Sequence, residues 1–152
     1  MIRSPRVSDV SGIKTLLDKA SKNGDLLPRS AMELFESVRD FVVYVDEEGV
    51  GGCCALHVEG PDLAEIRSLA VRENLRGRGL GSQLVNACLE SARGLGIPRV
   101  YALTRSPVFF KKQGFVEIDK QELPHKVFRD CVRCHLFPDC DEVAFIRDLG
   151  TE

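Results

Sequence analysis

The sequence predicts a single α/β (α+β) domain. The chain has 152 residues, which suits one domain, and it contains no internal repeat, low-complexity tract or linker-like stretch. Hydrophobic residues make up 43% and charged residues 29%, enough for a core and a hydrated surface. Strand-like apolar runs alternate with apolar residues at helical spacing. Residues 1–152 are therefore expected to form one domain, ordered ααβββ and then αβαβ, with a trailing segment.

The N-terminal third predicts a short edge strand and two helices. Residues 1–3 suit the edge strand, and Ser8 suits the N-cap of a first helix that residues 23–24 end. Ser30 precedes Glu33 by three residues, which is the spacing of a capping box at the start of a second helix. The apolar stripes expected to be buried are Val10, Ile13, Leu16 and Leu17 on the first helix, and Leu34, Phe35 and Val38 on the second.

Strands and helices alternate through the rest of the chain. A long helix is expected to end near Leu95, because Gly96 and Pro98 stop it, and Gly114 suits the C-cap of a short helix over residues 107–113. The apolar face of the long helix is formed by Leu80, Leu84, Cys88, Ala92 and Leu95. The predicted strands cover residues 41–45, 50–58, 63–71, 99–103, 115–118 and 143–146, and a further helix is predicted over residues 125–133.

Composition and charge exclude several classes of function. The formal net charge is −2, so the chain lacks the basic footprint of a nucleic-acid-binding protein, and no nucleic-acid partner is expected. No apolar run approaches the ~20 residues of a transmembrane helix, so no membrane partner is expected either. Residues 1–6 lack the apolar core of a signal peptide, which predicts a cytoplasmic protein.

A glycine-rich, basic loop joins the third long strand to the long helix. Gly77, Gly79 and Gly81 lack Cβ atoms, so the backbone there can turn sharply and approach a ligand closely. The free N–H groups at the start of the helix favour an anion, and Arg76 and Arg78 add charge that pairs with phosphates. The loop therefore predicts a pyrophosphate site. A solvated turn is the alternative, whereas a dinucleotide fingerprint fits poorly because it needs an early βαβ unit.

Three motifs, in the right order and spacing, resemble those of the GNAT acetyltransferase superfamily. Arg76-x-x-Gly79-x-Gly81 is similar to its acyl-CoA motif, residues 64–71 to the preceding strand, and residues 109–115 to its late aromatic element. They cover roughly residues 40–118, and on them the chain is identified as a member of that superfamily. The resemblance implies the GNAT fold, a mixed central sheet flanked by helices, with splayed parallel strands that hold acetyl-CoA.

The resemblance also implies how acetyl-CoA, the co-substrate, is held. The pyrophosphate is expected on the amides of the loop, and the pantetheine arm is expected to pair with the central strand like an added strand. The backbone N–H of Leu69 is expected to polarise the thioester carbonyl. The implied cofactor-binding residues are Leu69, Ala70, Val71, Arg76, Gly77, Arg78, Gly79, Leu80, Gly81, Ser82 and Phe110.

Glu65 is the candidate general base. A substrate α-amine titrates near ~7.7–8.0 and arrives largely protonated, so a carboxylate takes a proton from it, directly or through water. Some GNAT members place their base at the position matching Glu65, and strand alternation puts Glu65, Arg67, Leu69 and Val71 on one face. The alternative is that Glu65 simply pairs with Arg67 or another basic residue.

Phe110 departs from the family pattern. Many members have a tyrosine at the matching position, and its hydroxyl protonates the leaving thiolate. Phe110 has no hydroxyl, so it is expected to pack against the cofactor without donating a proton. The thiolate is expected to leave as such or to take its proton from water.

Further resemblance indicates the acceptor amine. Residues 26–30, 65–68 and 123–128 look like the short stand-alone amino-acid N-acetyltransferases, which resemble the acetylating domain of N-acetylglutamate synthase in arginine biosynthesis. L-Glutamate is therefore the expected acceptor, and Arg29, Arg67 and Arg105 are the candidate ligands of its carboxylates. Another small amine, a protein N-terminus or lysine, and a non-catalytic acyl-CoA-binding module stay open as alternatives, as does homodimerisation.

The six cysteines divide into two groups. Cys53, Cys54 and Cys88 lie in apolar runs and are expected to be core thiols. The tail carries a Cys-x-x-Cys-His pattern that suits zinc, but a closed site needs four ligands. Ordinary thiols are favoured there, and no metal is predicted. The tail residues concerned are Cys131, Cys134 and Cys140, with His125 as the candidate fourth ligand.

Overall fold

The computed structural model describes residues 1–22, 29–123 and 142–150. Its strands are β1 (Ile2–Arg3), β2 (Phe41–Asp46), β3 (Gly49–Gly60), β4 (Leu63–Val71), β5 (Arg99–Thr104), β6 (Val116–Ile118) and β7 (Val143–Asp148). These seven form one sheet in the order β1-β2-β3-β4-β5-β7-β6. Within it β4 and β5 run parallel, and the other neighbouring strands are antiparallel. The sheet is therefore mixed, as the resemblance implies.

Helices cover both faces of the sheet. They are α1 (Val10–Lys22), α2 (Ala31–Glu36), α3 (Leu80–Leu95) and α4 (Pro107–Lys112). Cys53 and Ala55 of β3 pack with α1 and α2, whereas Cys54 and Leu56 pack with α3 and α4 on the opposite face. Because both faces of β3 are buried, its sequence is apolar almost throughout. The α/β fold class predicted from the sequence is confirmed.

The parallel pair opens along its length. β4 and β5 are paired only through Ala64 with Val100 and Glu65 with Tyr101. β4 nevertheless runs on to Val71, and β5 runs on to Thr104. The C-terminal halves of the two strands therefore leave a gap between them. β4 and β5 are therefore the splayed parallel strands that the resemblance implies.

One of the two predicted N-caps is confirmed and the other is wrong. Ser30 Oγ accepts a hydrogen bond from the Glu33 backbone N–H at 3.1 Å, and Glu33 Oε1 accepts one from the Ser30 N–H at 3.2 Å. Ser8 does not cap α1, because a 3₁₀ turn over Val7–Asp9 precedes the helix. Asp9 Oδ2 accepts from the Arg6 backbone N–H at 2.7 Å instead. Ser8 therefore lies inside this turn, which begins after Arg6, and not at the N-cap position of α1.

Two residues of the predicted apolar stripes are exposed. Phe35 is 49% exposed because α2 has only six residues, of which Leu34 alone is buried. Leu95 is 65% exposed because it lies in the last turn of α3, just before Gly96 ends the helix at a φ of +79°. The predicted helix over residues 125–133 and the predicted helix end at residues 23–24 lie outside the described residues.

Cys53, Cys54 and Cys88 are buried as free thiols, which confirms the prediction made for them. The tail cysteines and His125 lie outside the described residues. Within the described ranges, no helix has the length and hydropathy needed to cross a membrane.

Candidate active site

A cavity of about 1250 Å³ occupies the gap between β4 and β5. Its walls come from these two strands, the glycine-rich loop, the first turn of α3, α4 and one side of α1. The volume exceeds the roughly 300–1,000 Å³ of pockets for drug-sized ligands, which suits a long cofactor together with a second substrate. The predicted cofactor residues that line it are Leu69, Ala70, Val71, Arg76, Gly77, Gly79, Leu80, Gly81, Ser82 and Phe110.

The glycine-rich loop has the backbone shape of an anion cradle. Gly77 and Gly79 have φ angles of +78° and +79°, in the left-handed region that favours glycine. Gly79 is the N-cap of α3, so the first N–H groups of this 16-residue helix open into the cavity. A Cβ atom on Gly81 would lie 3.3 Å from Cε1 of Phe109, so an alanine there would crowd that ring. The loop therefore fits phosphate groups at a helix N-terminus.

The arginines of the loop differ in position. Arg76 lines the cavity, and its Nε donates to the Val71 carbonyl at 3.3 Å. Arg78 is exposed and is not among the described residues that line the cavity. Arg72 anchors the start of the loop, because its guanidinium binds both oxygens of Asp46, at 2.9 and 3.1 Å. Arg72 thus joins the loop to the β2–β3 turn, and the Arg72 contact holds the pKa of Asp46 below its usual value.

A β-bulge changes which side chains of β4 share a face. The register pairs Arg67 with Ala55 and Ala70 with Cys53, so two residues of β4 stand opposite one residue of β3. Ser68 takes the positive φ of 56° that the bulge requires. Leu69 and Val71 therefore pack on the α3 face, whereas Ala70 packs with the α1 side. The prediction that strand alternation puts Glu65, Arg67, Leu69 and Val71 on one face is wrong for the last two.

Glu65 and Arg67 form a close ion pair on β4. Nε and Nη2 of Arg67 donate to the same oxygen, Glu65 Oε1, at 2.9 and 2.6 Å. The Glu65 side chain is 12% exposed, and burial raises the pKa of its carboxyl although Arg67 opposes this shift. None of the described residues donates a hydrogen bond to Glu65 Oε2. The pairing that the sequence offered as an alternative to catalysis is thus present, and it leaves one carboxylate oxygen for a further contact.

Three further residues extend this pair into a buried polar cluster that the sequence did not predict. Glu59 on β3 is 2% exposed at its side chain, and the Tyr101 hydroxyl donates to its Oε1 at 3.2 Å. Arg67 Nη2 lies 3.7 Å from the same oxygen, and His57 Nε2 lies 3.6 Å from it. Burial and the neighbouring carboxylates raise the pKa of Tyr101, which therefore keeps its proton. A tight turn over residues 60–62, between the predicted strands at 50–58 and 63–71, would have placed His57 opposite Glu65.

The three candidate substrate arginines occupy different places. Arg67 and Arg105 both line the cavity, Arg105 as an exposed residue just after β5. Arg29 lies before α2, its Nη1 is 3.7 Å from Glu33 Oε2, and it is not among the described lining residues. Sequence reasoning missed the α1 side of the cavity, to which Thr15, Lys19 and Lys22 belong. These residues recur at helical spacing, on the edge of α1 beside its buried stripe. That spacing could have predicted that they share one side of the helix.

Phe110 is buried where the family pattern has a tyrosine. It is 6% exposed, lines the cavity, and meets Phe109 and Phe115 edge to face at centroid distances of 5.1 and 5.2 Å. Neither Tyr44 nor Tyr101 is among the described residues of the cavity wall. Hydroxyl and amide groups nearby come instead from Ser82, Thr104, Ser106 and Gln113.

Comparison with known protein families decides the kind of site. The model of the acetyltransferase (GNAT) family matches residues 14–115. The chain belongs to this family. It is thus an acetyl-CoA-dependent acetyltransferase, and the cavity in the gap between β4 and β5 is its candidate active site.

The relatives of this acetyltransferase include an amino-acid acetyltransferase. It is 38% identical over 148 residues to an uncharacterized N-acetyltransferase of Chlorobaculum tepidum, covering 97% of this chain and 96% of the relative. It is 37% identical over 138 residues to an amino-acid acetyltransferase of Mycobacterium tuberculosis, covering 89% of this chain and 79% of the relative. The chain is therefore related to amino-acid acetyltransferases.

A solved structure supports the same relationship. The N-acetylglutamate synthase from Neisseria gonorrhoeae, complexed with coenzyme A and N-acetyl-glutamate, superposes with a TM-score of 0.89 at 28% identity. The match covers 99% of this chain but only 35% of that synthase. Within residues 1–22, 29–123 and 142–150 of this acetyltransferase, no cluster of three or more His, Cys, Asp or Glu side chains could hold a metal ion.

Proposed function

We propose that this acetyltransferase acetylates the α-amine of a free amino acid, and that the acceptor is L-glutamate. The product, N-acetylglutamate, belongs to arginine biosynthesis, and the cytoplasm is the proposed location. The observation that carries the proposal is the close superposition on an N-acetylglutamate synthase bound to N-acetyl-glutamate, over almost the whole chain. The amino-acid acetyltransferase relative at 37% identity supports the same class of acceptor.

The charge of the cavity wall suits an acceptor with two carboxylates. Arg67 and Arg105 line the wall on the β4 and β5 sides, and Lys19 and Lys22 line it on the α1 side. A guanidinium binds a carboxylate through two parallel hydrogen bonds, which suits arginine as a ligand of the acceptor. We therefore assign the glutamate carboxylates to Arg67 and Arg105, with Arg29 completing the acceptor side from the loop before α2.

The cofactor is proposed to follow the wall of β4 into the loop. The loop amides at residues 77–82 and the dipole of α3 hold its pyrophosphate, and Arg76 and Arg78 supply charge from the same segment. Backbone groups of Leu69, Ala70 and Val71 pair with its extended arm, while Phe110 packs against it. Acetyl-CoA supplies a thioester whose carbonyl carbon accepts the amine.

Glu65 is the proposed base. Its raised pKa makes the carboxylate a stronger proton acceptor than an exposed glutamate, which suits removal of a proton from an α-ammonium group. Oε1 is held by Arg67, so Oε2 is the oxygen that accepts the proton. Ile66 and Arg67 line the cavity whereas Glu65 is not among the described lining residues. The proton therefore reaches Oε2 through a water molecule.

Acetyl transfer then replaces the thioester bond with an amide bond. The deprotonated nitrogen forms a bond to the carbonyl carbon, the carbon–sulfur bond breaks, and the CoA sulfur leaves with the electron pair. The nitrogen loses its second proton, which passes through water to the sulfur. A cysteine-like thiol has a pKa of about 8.5, so the thiolate is a good leaving group without an acid at Phe110.

Steady-state kinetics with two classes of acceptor test the proposal. Acetylation of free L-glutamate should exceed that of spermidine and of lysine-bearing or free-N-terminus peptides by at least tenfold in kcat/KM. Mass spectrometry of the product should place the acetyl group on the α-nitrogen. Faster acetylation of a peptide or polyamine would overturn the assignment to free amino acids.

A further inference from the structure

The thiol of Cys53 lies inside the β-bulge of β4. Cys53 stands on β3 opposite Ala70, is fully buried, and its Sγ–H donates to the Ser68 carbonyl at 3.3 Å. The thiol thus contacts the carbonyl that precedes Leu69, and it does so at Ser68, the only described non-glycine residue with a positive φ.

Burial keeps this thiol protonated. It raises the pKa of Cys53 to about 12, so the S–H donor is present throughout the physiological range. Ser68 and Leu69 have no partner residue in the described register with either β3 or β5. The Cys53 thiol therefore binds the Ser68 carbonyl at a point where the ladder between the strands is interrupted.

The orientation of one peptide group follows from this contact. The peptide between Ser68 and Leu69 is planar and trans, so its C=O and N–H point in opposite directions. The C=O points toward Cys53 on β3. The Leu69 N–H therefore points away from β3, toward the side on which β5 has separated and the cavity lies.

We infer that Cys53 is a positioning residue that aims the Leu69 N–H at the thioester carbonyl of acetyl-CoA. The inference rests on the proposed function and on the role that the family resemblance implies for the Leu69 N–H, which is to polarise the thioester carbonyl. Cys53 touches neither substrate, and it acts through the bulge. A donor aimed in advance at a developing oxyanion stabilises the transition state more than the ground state, so the effect falls on kcat.

Two substitutions separate hydrogen bonding from packing. Cys53→Ala removes the hydrogen bond to the Ser68 carbonyl, whereas Cys53→Ser keeps a donor at the same place. Cys54→Ala is the matched control, because Cys54 is equally buried but packs on the α3 face. If Cys53→Ala does not fold, Cys53→Val replaces it, since valine fills the space without a hydrogen-bonding group.

Kinetics should show a loss confined to the chemical step. Loss of one oxyanion donor costs roughly 10²–10³-fold in kcat. We expect misalignment of the Leu69 N–H to cost about tenfold in Cys53→Ala, with the Kd for CoA unchanged and at least half of the loss recovered in Cys53→Ser. Equal kcat values for Cys53→Ala and Cys54→Ala would overturn the inference. An equal loss in Cys53→Ser and Cys53→Ala would overturn it too, because packing alone would then explain both.

Infrared spectroscopy tests the inference without an acceptor. Carbonyl-labelled [¹³C]acetyl-CoA bound to the wild-type enzyme should show its thioester stretch below the solution frequency. In Cys53→Ala most of that shift should be lost, and in Cys54→Ala it should persist. An unchanged band in Cys53→Ala would contradict the positioning role. Because no amine is present, this result stands even if the enzyme fails to acetylate glutamate, so the two proposals fail separately.

Discussion

Arg67 donates two hydrogen bonds to a single oxygen of Glu65, through Nε at 2.9 Å and Nη2 at 2.6 Å. The two residues lie two positions apart on β4, on the same side of the strand and before the bulge at Ser68. This contact orients Glu65 and moderates the rise in its pKa that burial causes. A candidate base and a candidate substrate ligand are thus coupled, and substitutions at either position should affect both functions.

Glu65→Gln should lower kcat by about 10²-fold or more, because the amide cannot accept a proton from the amine. The loss should shrink as pH rises, since the amine then loses its proton to solvent. Glu90→Gln is the matched control, because Glu90 also accepts from an arginine, Arg93, at 2.6 Å but on the exposed surface of α3. Rates and calorimetric affinity for CoA across pH provide the measurement. A Glu65→Gln variant with wild-type kcat at neutral pH would exclude Glu65 as the base.

Arg67→Ala should move the acidic limb of the pH profile of kcat/KM to higher pH. Arg67 lowers the pKa of Glu65, so its removal raises that pKa further, and the base stays protonated up to a higher pH. Arg105→Ala should leave the limb where it is, because Arg105 does not perturb the pKa of Glu65. An Arg67→Ala profile that superposes on the wild type would show that Glu65 does not govern the acidic limb.

The same arginine should set the affinity for the acceptor. Removing one partner of a shielded guanidinium–carboxylate pair costs roughly 2–5 kcal/mol, so Arg67→Ala should raise the KM for glutamate at least tenfold. Arg105→Ala should raise the same KM by a smaller factor, because Arg105 lines the cavity as an exposed residue. The KM for acetyl-CoA should stay nearly unchanged, and lysine replacements should rescue only in part, because an ammonium cannot make the two-pronged contact. Arg93→Ala, on the exposed surface of α3, is the control. Parallel rises in both Michaelis constants would indicate a general disturbance instead of a carboxylate site.

Gly79→Ala should weaken acetyl-CoA binding by at least tenfold. Gly79 has a φ of +79°, a conformation that costs other residues roughly 1–2 kcal/mol, so the start of α3 must shift. Gly94→Ala is the control within the same helix, because a Cβ there also meets nothing within 4 Å and needs no positive φ. It should leave affinity unchanged and stabilise the fold by about 0.5–1 kcal/mol. Calorimetry and thermal melting make the comparison, and equal affinities would argue against a phosphate-binding loop.

The fold and the cofactor loop were predictable because their requirements leave local marks in the sequence. A position at a helix start with left-handed backbone angles favours glycine. Gly79 occupies such a position, within a motif of fixed spacing. The capping box of Ser30 and Glu33 is equally local. The start of α1 was not predictable in this way, since it depends on Asp9, which is also held by Arg3 of the edge strand at 2.8 Å.

The finer geometry of the site depends on contacts between strands. Serine at position 68 gives no local sign of a positive φ, and the bulge depends on the fit of β4 against Cys53 on β3. Glu59 and Tyr101 are 42 residues apart and meet only because β4 lies between their strands. Periodicity along one strand cannot show either feature.

A competition assay tests the central claim most directly. The wild-type enzyme receives limiting acetyl-CoA and an equimolar mixture of L-glutamate, L-glutamine, L-aspartate and the other free amino acids, and mass spectrometry measures the ratio of acetylated products. The proposal predicts that N-acetylglutamate dominates, because glutamine lacks one charge for the arginines and aspartate reaches one methylene less far. A mixture in which another N-acetyl amino acid dominates would contradict it.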